Sequence, residues 1–213
     1  MDHKILLDLF DKIIVPIALY GVEVWGSNFI HGKNDDNYFD RTKLAKHETE
    51  NIHYRFLKIL LGVHRRTSSW AVASEYGRYP LIIKAFKSMC KFYNHIMVSE
   101  SPIVKAAFEE SKLLSDAGIN SWYNVIKRIC KYGNISQDDM ETCDFENIFK
   151  NMFLSNWVKE KDLSAIEGKL GVFAKCKIGF NFAQYLQGKA YPTYKSALAK
   201  FRTSSHSLPI ERE

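Results

Sequence analysis

Residues 81–97, LIIKAFKSMCKFYNHIM, carry the clearest periodic pattern in this chain and decide its fold class. Apolar side chains recur every three or four residues, which is the spacing of one face of an α-helix. Pro80 directly precedes the segment, and proline suits the first position of a helix. Lys84, Lys87 and Lys91 fall on the opposite face. The stretch therefore predicts an amphipathic helix with an apolar side and a basic side.

The same spacing continues outward in both directions, and no segment shows the alternating pattern of a β-strand. We expect a helix over residues 4–25, kinked by Pro16, and a second over residues 40–61, ended by Gly62. Further helices are expected at residues 70–76, 81–97, from Pro102 onward, and near 121–131, 145–160, 169–187 and 193–202. The chain is thus predicted to be all-α, a multi-helix bundle.

The predicted first helix has an unusually long apolar side. Seven residues recur there at helical spacing, and we expect them to form one stripe: Leu6, Leu9, Phe10, Ile13, Ile17, Tyr20 and Val24. Several aromatic residues here and elsewhere could in principle stack on nucleic-acid bases. Core packing is the favoured interpretation because each falls on or beside an apolar stripe; they are Tyr20, Trp25, Trp70, Tyr76, Trp122 and Trp157.

The positive charge of the chain is concentrated in one segment. Lys and Arg total 30 against 24 Asp and Glu, and residues 55–91 contain eight basic residues and one acidic residue. Such a concentration is typical of a phosphate-binding face. The candidate binding residues are Arg55, Lys58, Arg65, Arg66, Arg78, Lys84, Lys87 and Lys91. An ordinary solvated helix surface is the alternative interpretation.

The boundaries between domains are weakly marked. The turn at residues 99–102 is the best candidate, because the basic excess ends before it. We expect a helical lobe with the basic patch in residues 1–98 and a helical connector in residues 99–203. Residues 204–213 contain no core pattern and are expected to form a flexible tail.

A search for catalytic or metal-binding groups finds no workable set. The carboxylate pairs Asp35–Asp36 and Asp138–Asp139 lie in polar stretches without flanking strand residues, whereas metal-assisted nucleotide transfer needs closely placed carboxylates on a rigid scaffold. Ser204–His206 lies in the expected tail, which lacks such a scaffold. No histidine and cysteine spacing is typical of zinc. The sequence therefore predicts no catalytic residues, no metal and no cofactor.

Cellular location follows from equally simple features. The four cysteines are widely spaced, which is typical of reduced, buried thiols. The N-terminal residues lack the pattern of a secretory signal. The longest apolar run, residues 13–22, is too short to span a bilayer and contains Pro16. These observations predict a soluble intracellular protein without a membrane partner.

Several sequence blocks are similar to those of a known family, in the same order and with the same spacing. They are LYGVEVWG at residues 19–26, FLKILLGV at 56–63, SEYGRYPL at 74–81, FRTSSH at 201–206, and Ile210–Glu211. Together they resemble the region after the catalytic palm of LINE-type, non-LTR retrotransposon reverse transcriptases, and the resemblance covers most of the chain.

This resemblance implies a thumb-like lobe lying against the backbone of RNA or an RNA/DNA duplex, with the missing palm domain as a partner and the nucleus or cytoplasm as location. The family's Ala-Asp-Asp turn and cysteine-bearing terminus have no counterpart here, so the chain resembles a non-catalytic fragment of an RNA-directed DNA polymerase. The alternative is a helical protein-interaction module or a non-functional transposon remnant, with self-association through exposed surfaces.

Overall fold

The structure, a computed structural model, describes residues 2–30, 38–136, 143–166, 170–188 and 190–205. Its helices, in chain order, are α1 (His3–Leu9), α2 (Val15–Ala18), α3 (Val22–Trp25), α4 (Arg41–Leu44), α5 (Glu48–Leu61), α6 (Ser69–Glu75), α7 (Leu81–Val98), α8 (Pro102–Asp116), α9 (Trp122–Gly133), α10 (Phe145–Ile166), α11 (Gly171–Cys176), α12 (Gln184–Gln187) and α13 (Pro192–Arg202). Within these ranges the only β-type pairing is an isolated bridge between Tyr76 and Phe182. The predicted all-α class is confirmed.

The chain divides into two compact units that are each discontinuous in sequence. Unit 1 comprises Met1–Val15, Phe39–Pro80 and Phe153–Glu213, and unit 2 comprises Pro16–Tyr38 and Leu81–Met152. The expected division at residue 98 falls inside unit 2, so the lobe of residues 1–98 and the connector of residues 99–203 differ from these bodies. The difference arises because helices far apart in sequence pack together, as α5 and α13 do in unit 1.

Unit 2 is built around α7, whose apolar stripe is buried as its spacing predicts. Ile82, Phe86 and Met89 are almost completely shielded from solvent, and the Phe86 ring meets the edge of Phe149. Helix α3 packs against α7 where Gly26 faces Met89. A Cβ at Gly26 would lie 2.6 Å from the Met89 sulfur, so a larger residue here would require the Met89 side chain to move.

Unit 1 has its own core, formed where α5, α6 and α13 meet. Its buried side chains include Leu57, Leu61, Val72, Leu186 and Ala199, which come from four different helices. Helices α12 and α13 lie more than one hundred residues after α5 and α6 in the chain. The C-terminal segment is therefore an integral part of this core.

The helix predicted over residues 4–25, with a kink at Pro16, is helical from residue 3 to residue 18, and turn residues 19–21 then separate it from α3. Between α1 and α2 the segment Phe10–Ile14 forms a π-helical turn, in which Val15 N–H donates to the Phe10 carbonyl five residues back. Pro16 lacks an N–H, so a regular helix could not continue through it unchanged. At Gly21, with φ of 67°, the chain turns again before α3.

Much of the predicted first stripe is exposed to solvent. Phe10 is buried, whereas Leu9, Ile13, Ile17 and Tyr20 are exposed. Tyr20 is 85% exposed, so the expectation that it packs in the core is wrong. Most of the predicted stripe is therefore not part of the core of the described chain.

Other helices follow the predictions with smaller differences. The helix expected at residues 40–61 is interrupted between α4 and α5, and the one expected at 169–187 is divided into α11 and α12. Helices α7, α8 and α13 begin within a residue or so of the expected positions. Cys90 and Cys130 are buried as expected, but Cys176 is exposed. Among the described residues, no helix is both long and apolar enough to cross a membrane.

Candidate nucleic-acid interface

The loop that follows α5 in unit 1 is built on a tight helix ending. Gly62 has a φ of 69°, in the left-handed region that glycine adopts without strain, and its N–H donates to carbonyls of the last turn of α5. A Cβ at this position would lie 2.5 Å from the Ser196 hydroxyl oxygen. Gly62 therefore ends the helix and also allows α13 to approach the loop.

Hydrogen bonds from two other segments hold this loop. The Ser196 hydroxyl donates to the Gly62 carbonyl at 3.0 Å, and the Lys58 ammonium donates to the Arg65 carbonyl, also at 3.0 Å. The Ser205 hydroxyl oxygen accepts from His64 N–H at 3.1 Å and from the Thr67 hydroxyl at 2.7 Å. These hydrogen bonds hold the backbone on both sides of Arg65 and Arg66.

Arg65 and Arg66 extend from this loop into solvent. Both are exposed, and neither side chain has a carboxylate partner in the portion of the chain that the structure describes. Guanidinium groups bind phosphate oxygens through paired, charge-assisted hydrogen bonds. A rigid loop bearing two adjacent, unneutralised arginines can therefore bind a phosphate backbone.

Lys200 adds a third positive charge that the sequence analysis missed. It follows Ser196 by four residues on α13, and residues at this spacing share a helix face. Because Ser196 contacts Gly62, the exposed Lys200 lies on the side of α13 that meets the loop. The sequence does show that the last turn of the helix expected at 193–202 is basic. Lys200 is 134 residues from Arg66, however, so the sequence gave no reason to assign the two residues to one site.

The first residues of the expected flexible tail also belong to this site. Ser205 bonds to the loop, and its N–H donates to the Lys200 carbonyl at 2.8 Å. Ser205, which the sequence assigned to the expected flexible tail, is thus hydrogen-bonded to the loop in the structure. The remainder of the tail, residues 206–213, lies outside the described residues, as do Asp35–Asp36 and Asp138–Asp139.

The other three predicted binding residues of unit 1 have different surroundings. Lys58 is half-buried, and burial lowers the pKa of its ammonium group, which bonds to the loop backbone. Arg78 forms a two-pronged ion pair with Asp11. Arg55 is exposed and lines an apolar groove. Lys58 thus positions Arg65, while the positive charge of Arg78 is balanced by a carboxylate 67 residues away.

Three of the predicted binding residues lie in unit 2, on α7. Lys84 and Lys91 are exposed, but Lys87 pairs with Glu146, which also bonds to Lys150 at 2.6 Å. Hydrogen bonds from Lys150 and then Lys87 lower the pKa of the Glu146 carboxyl to about 2. Because this carboxylate stays ionised, it offsets positive charge in the middle of the lysine row.

The single acidic residue of the basic segment, Glu75, is hidden from the surface of unit 1. Its side chain is fully buried and accepts a 2.8 Å hydrogen bond from Arg202. Nearby, the buried Lys177 ammonium donates to the Asn181 carbonyl at 2.6 Å. Burial lowers the pKa of Lys177 to about 8, partly opposed by the charge of Glu75. Glu75 therefore cannot offset the charge of Arg65 and Arg66 at the surface.

Buried groups of charged residues such as Glu75, Lys177 and Arg202 occur both in active sites and in structural ion pairs. Neither of the two cavities that we describe is lined by Glu75, Lys177 or Arg202. Their hydrogen bonds join α6 to the end of α13. The arrangement accordingly holds the C-terminal helix onto unit 1.

The four tryptophans are all at least partly shielded from solvent. Trp70 and Trp157 are buried and line a small cavity of about 30 Å³ in unit 1. Trp25 and Trp122 are partly buried, and each donates its indole N–H to a backbone carbonyl. Across the described ranges, no group of three or more His, Cys, Asp or Glu side chains is placed to hold a metal ion.

Comparisons with known proteins place no further constraint on the site. No protein-family model, curated protein or solved structure matches the chain.

Proposed function

We propose that this chain is a non-catalytic, thumb-like part of a non-LTR retrotransposon reverse transcriptase that binds the phosphate backbone of RNA or an RNA/DNA duplex. In the parent protein it would support DNA synthesis carried out by the palm. The observation that carries the proposal is the pair Arg65 and Arg66, exposed on a loop held by hydrogen bonds and without a carboxylate partner in the described ranges. The order of the family-like sequence blocks supports the parentage.

The site favours binding without sequence selection. Arginine and lysine contacts to phosphate fix a nucleic acid in position but do not read its bases. Of the aromatic residues considered for stacking, Trp70 and Tyr76, which lie in the same unit, are buried in its core. Binding should therefore depend on charge and on salt concentration much more than on sequence.

The direct test is the charge-reversal variant R65E/R66E in a mobility-shift titration against an RNA/DNA hybrid of mixed sequence. We expect affinity to fall by about tenfold or more. The slope of log K against log salt should also decrease by about two, because each arginine would bind one phosphate group. Adding K200E should weaken binding further.

A matched control distinguishes the contribution of this loop to binding from that of the net charge of the chain. Lys159 and Lys175 are exposed lysines of the same unit, and K159E/K175E changes the net charge by the same amount. We expect this variant to lose much less affinity than R65E/R66E. Equal losses in the two variants, or no loss in either, would contradict binding through the loop.

A helical protein-interaction module is the second candidate, and the exposed apolar groove of unit 1 favours it. Sedimentation together with the same hybrid titration distinguishes the two functions. Oligomers that do not bind nucleic acid would support the interaction module. Salt-dependent binding that requires Arg65 and Arg66 would support the thumb-like function.

A further inference from the structure

An apolar groove of about 560 Å³ runs along the surface of unit 1. One side is formed by α1 and the following π-helical turn, through Leu9, Ile13 and Ile14, and the other by α5, through Ile52 and Ile59. Phe10 and Phe56 stack beneath it with ring centroids 4.3 Å apart. Among the described residues that line the groove, Arg55 alone is charged.

The side chains along this groove are too exposed for an ordinary protein surface. Ile59 is 79% exposed, Ile13 is 52% and Ile52 is 48%. Contiguous apolar patches of this kind mark places where another molecule packs. Apolar side chains from two neighbouring helices, separated by a groove, are an arrangement that can receive a further helix.

The charges on α5 identify which helix fits. Glu48, Ile52, Arg55 and Ile59 follow each other at intervals of four, three and four residues, so they lie on one face. Within the described chain neither Glu48 nor Arg55 has an ion-pair partner, and both are exposed. This face therefore carries an acid and a base separated by two helical turns.

The charges on this face are complementary to those of a second copy of α5 that runs in the opposite direction. If a second α5 lies antiparallel against the first, Glu48 of each copy meets Arg55 of the other, and the Ile52 side chains lie between the two ion pairs. Isologous packing of this kind is what a two-fold axis requires. A parallel arrangement would instead place like charges beside each other, which is unfavourable.

We propose that this face mediates an antiparallel, two-fold symmetric dimer of the chain, in which each groove receives the α5 face of the other copy. The proposal goes beyond nucleic-acid binding and does not depend on it. The interface is limited to two helices on each side, so dissociation constants on the order of 1–100 µM are expected.

Sedimentation equilibrium of the full chain across that concentration range, combined with a charge swap, tests the proposal. E48R and R55E, each alone, place like charges opposite each other at both ends of the interface. We expect each to weaken dimerisation by about tenfold or more. The double variant E48R/R55E restores opposite charges, so its dimerisation should return to within about threefold of the unchanged chain.

The double variant is also a control for net charge, since it leaves that charge unaltered. Circular dichroism of all three variants verifies folding, and I52D provides a second disruption through the apolar centre. A chain that stays monomeric up to about 100 µM would overturn the proposal. So would single charge variants that dimerise unchanged, or a double variant that remains as weak as the single ones.

Discussion

Helices α5 and α7 both have apolar residues at helical spacing. The two helices differ in how far those residues are buried. On α7 the stripe through Ile82, Phe86 and Met89 is buried in unit 2. On α5 the inner face is buried, but the face bearing Ile52 and Ile59 remains exposed. Helical spacing shows that a face exists, because it reflects only the helix geometry. What covers that face depends on segments distant in sequence.

Truncating one side chain on each helix should give the largest difference in the free energy of unfolding. Phe86→Ala leaves a cavity in a close-packed core and should lower the free energy of unfolding by about 3–5 kcal/mol. Ile59→Ala removes a side chain that is already mostly in solvent and should change it by less than about 0.5 kcal/mol. Urea denaturation of both variants, at a concentration where the chain is monomeric, measures the difference. Equal losses would mean that Ile59 is covered within the monomer.

The ion pair between Lys87 of α7 and Glu146 should make a smaller, pH-dependent contribution to the free energy of unfolding. Glu146 has a pKa lowered from 4.5 to about 2, so its ionised form stabilises the folded state above pH 4.5, and this contribution is lost as pH falls toward 2. Because the pair with Lys87 is about one third exposed, we expect Glu146→Gln to cost only about 1 kcal/mol at pH 7.

Unfolding of the Glu146→Gln variant and of the unchanged chain should be followed from pH 7 to pH 3. The two stabilities should begin to converge below about pH 4.5, because Glu146 then binds a proton in the unfolded chain but stays ionised in the folded one. A stability difference that stays constant over this range would show that Glu146 acts through packing instead of charge.

The smallest effect, a change in affinity for nucleic acid, is expected from replacing Lys84 and Lys91, the two outer lysines of α7. K84E/K91E changes the net charge as much as R65E/R66E, but the two lysines flank a Lys87 that Glu146 already offsets. We expect the affinity for an RNA/DNA hybrid to fall by less than about threefold at moderate salt. A loss as large as that of the arginine variant would place α7 in the binding surface as well.

The basic segment illustrates how far the sequence could predict the candidate site. Counting charges over residues 55–91 identified Arg65 and Arg66, because helix ends and loops expose long basic side chains. The same count included Arg78 and Lys87, whose partners Asp11 and Glu146 come from outside the segment. It also included Glu75, which is buried against Arg202 and does not face solvent.

Local patterns in the sequence by themselves determined the all-α class, the extent of α7, the start of α8 and the helix ending at Gly62. These features depend on spacing, on proline and glycine geometry, and on interactions within a few residues. Tertiary structure alone decided which apolar face stays open, which cations are neutralised, and that Lys200 and Ser205 join the loop after α5. Each of these depends on contacts between residues far apart in the chain, and local spacing contains no information about such contacts.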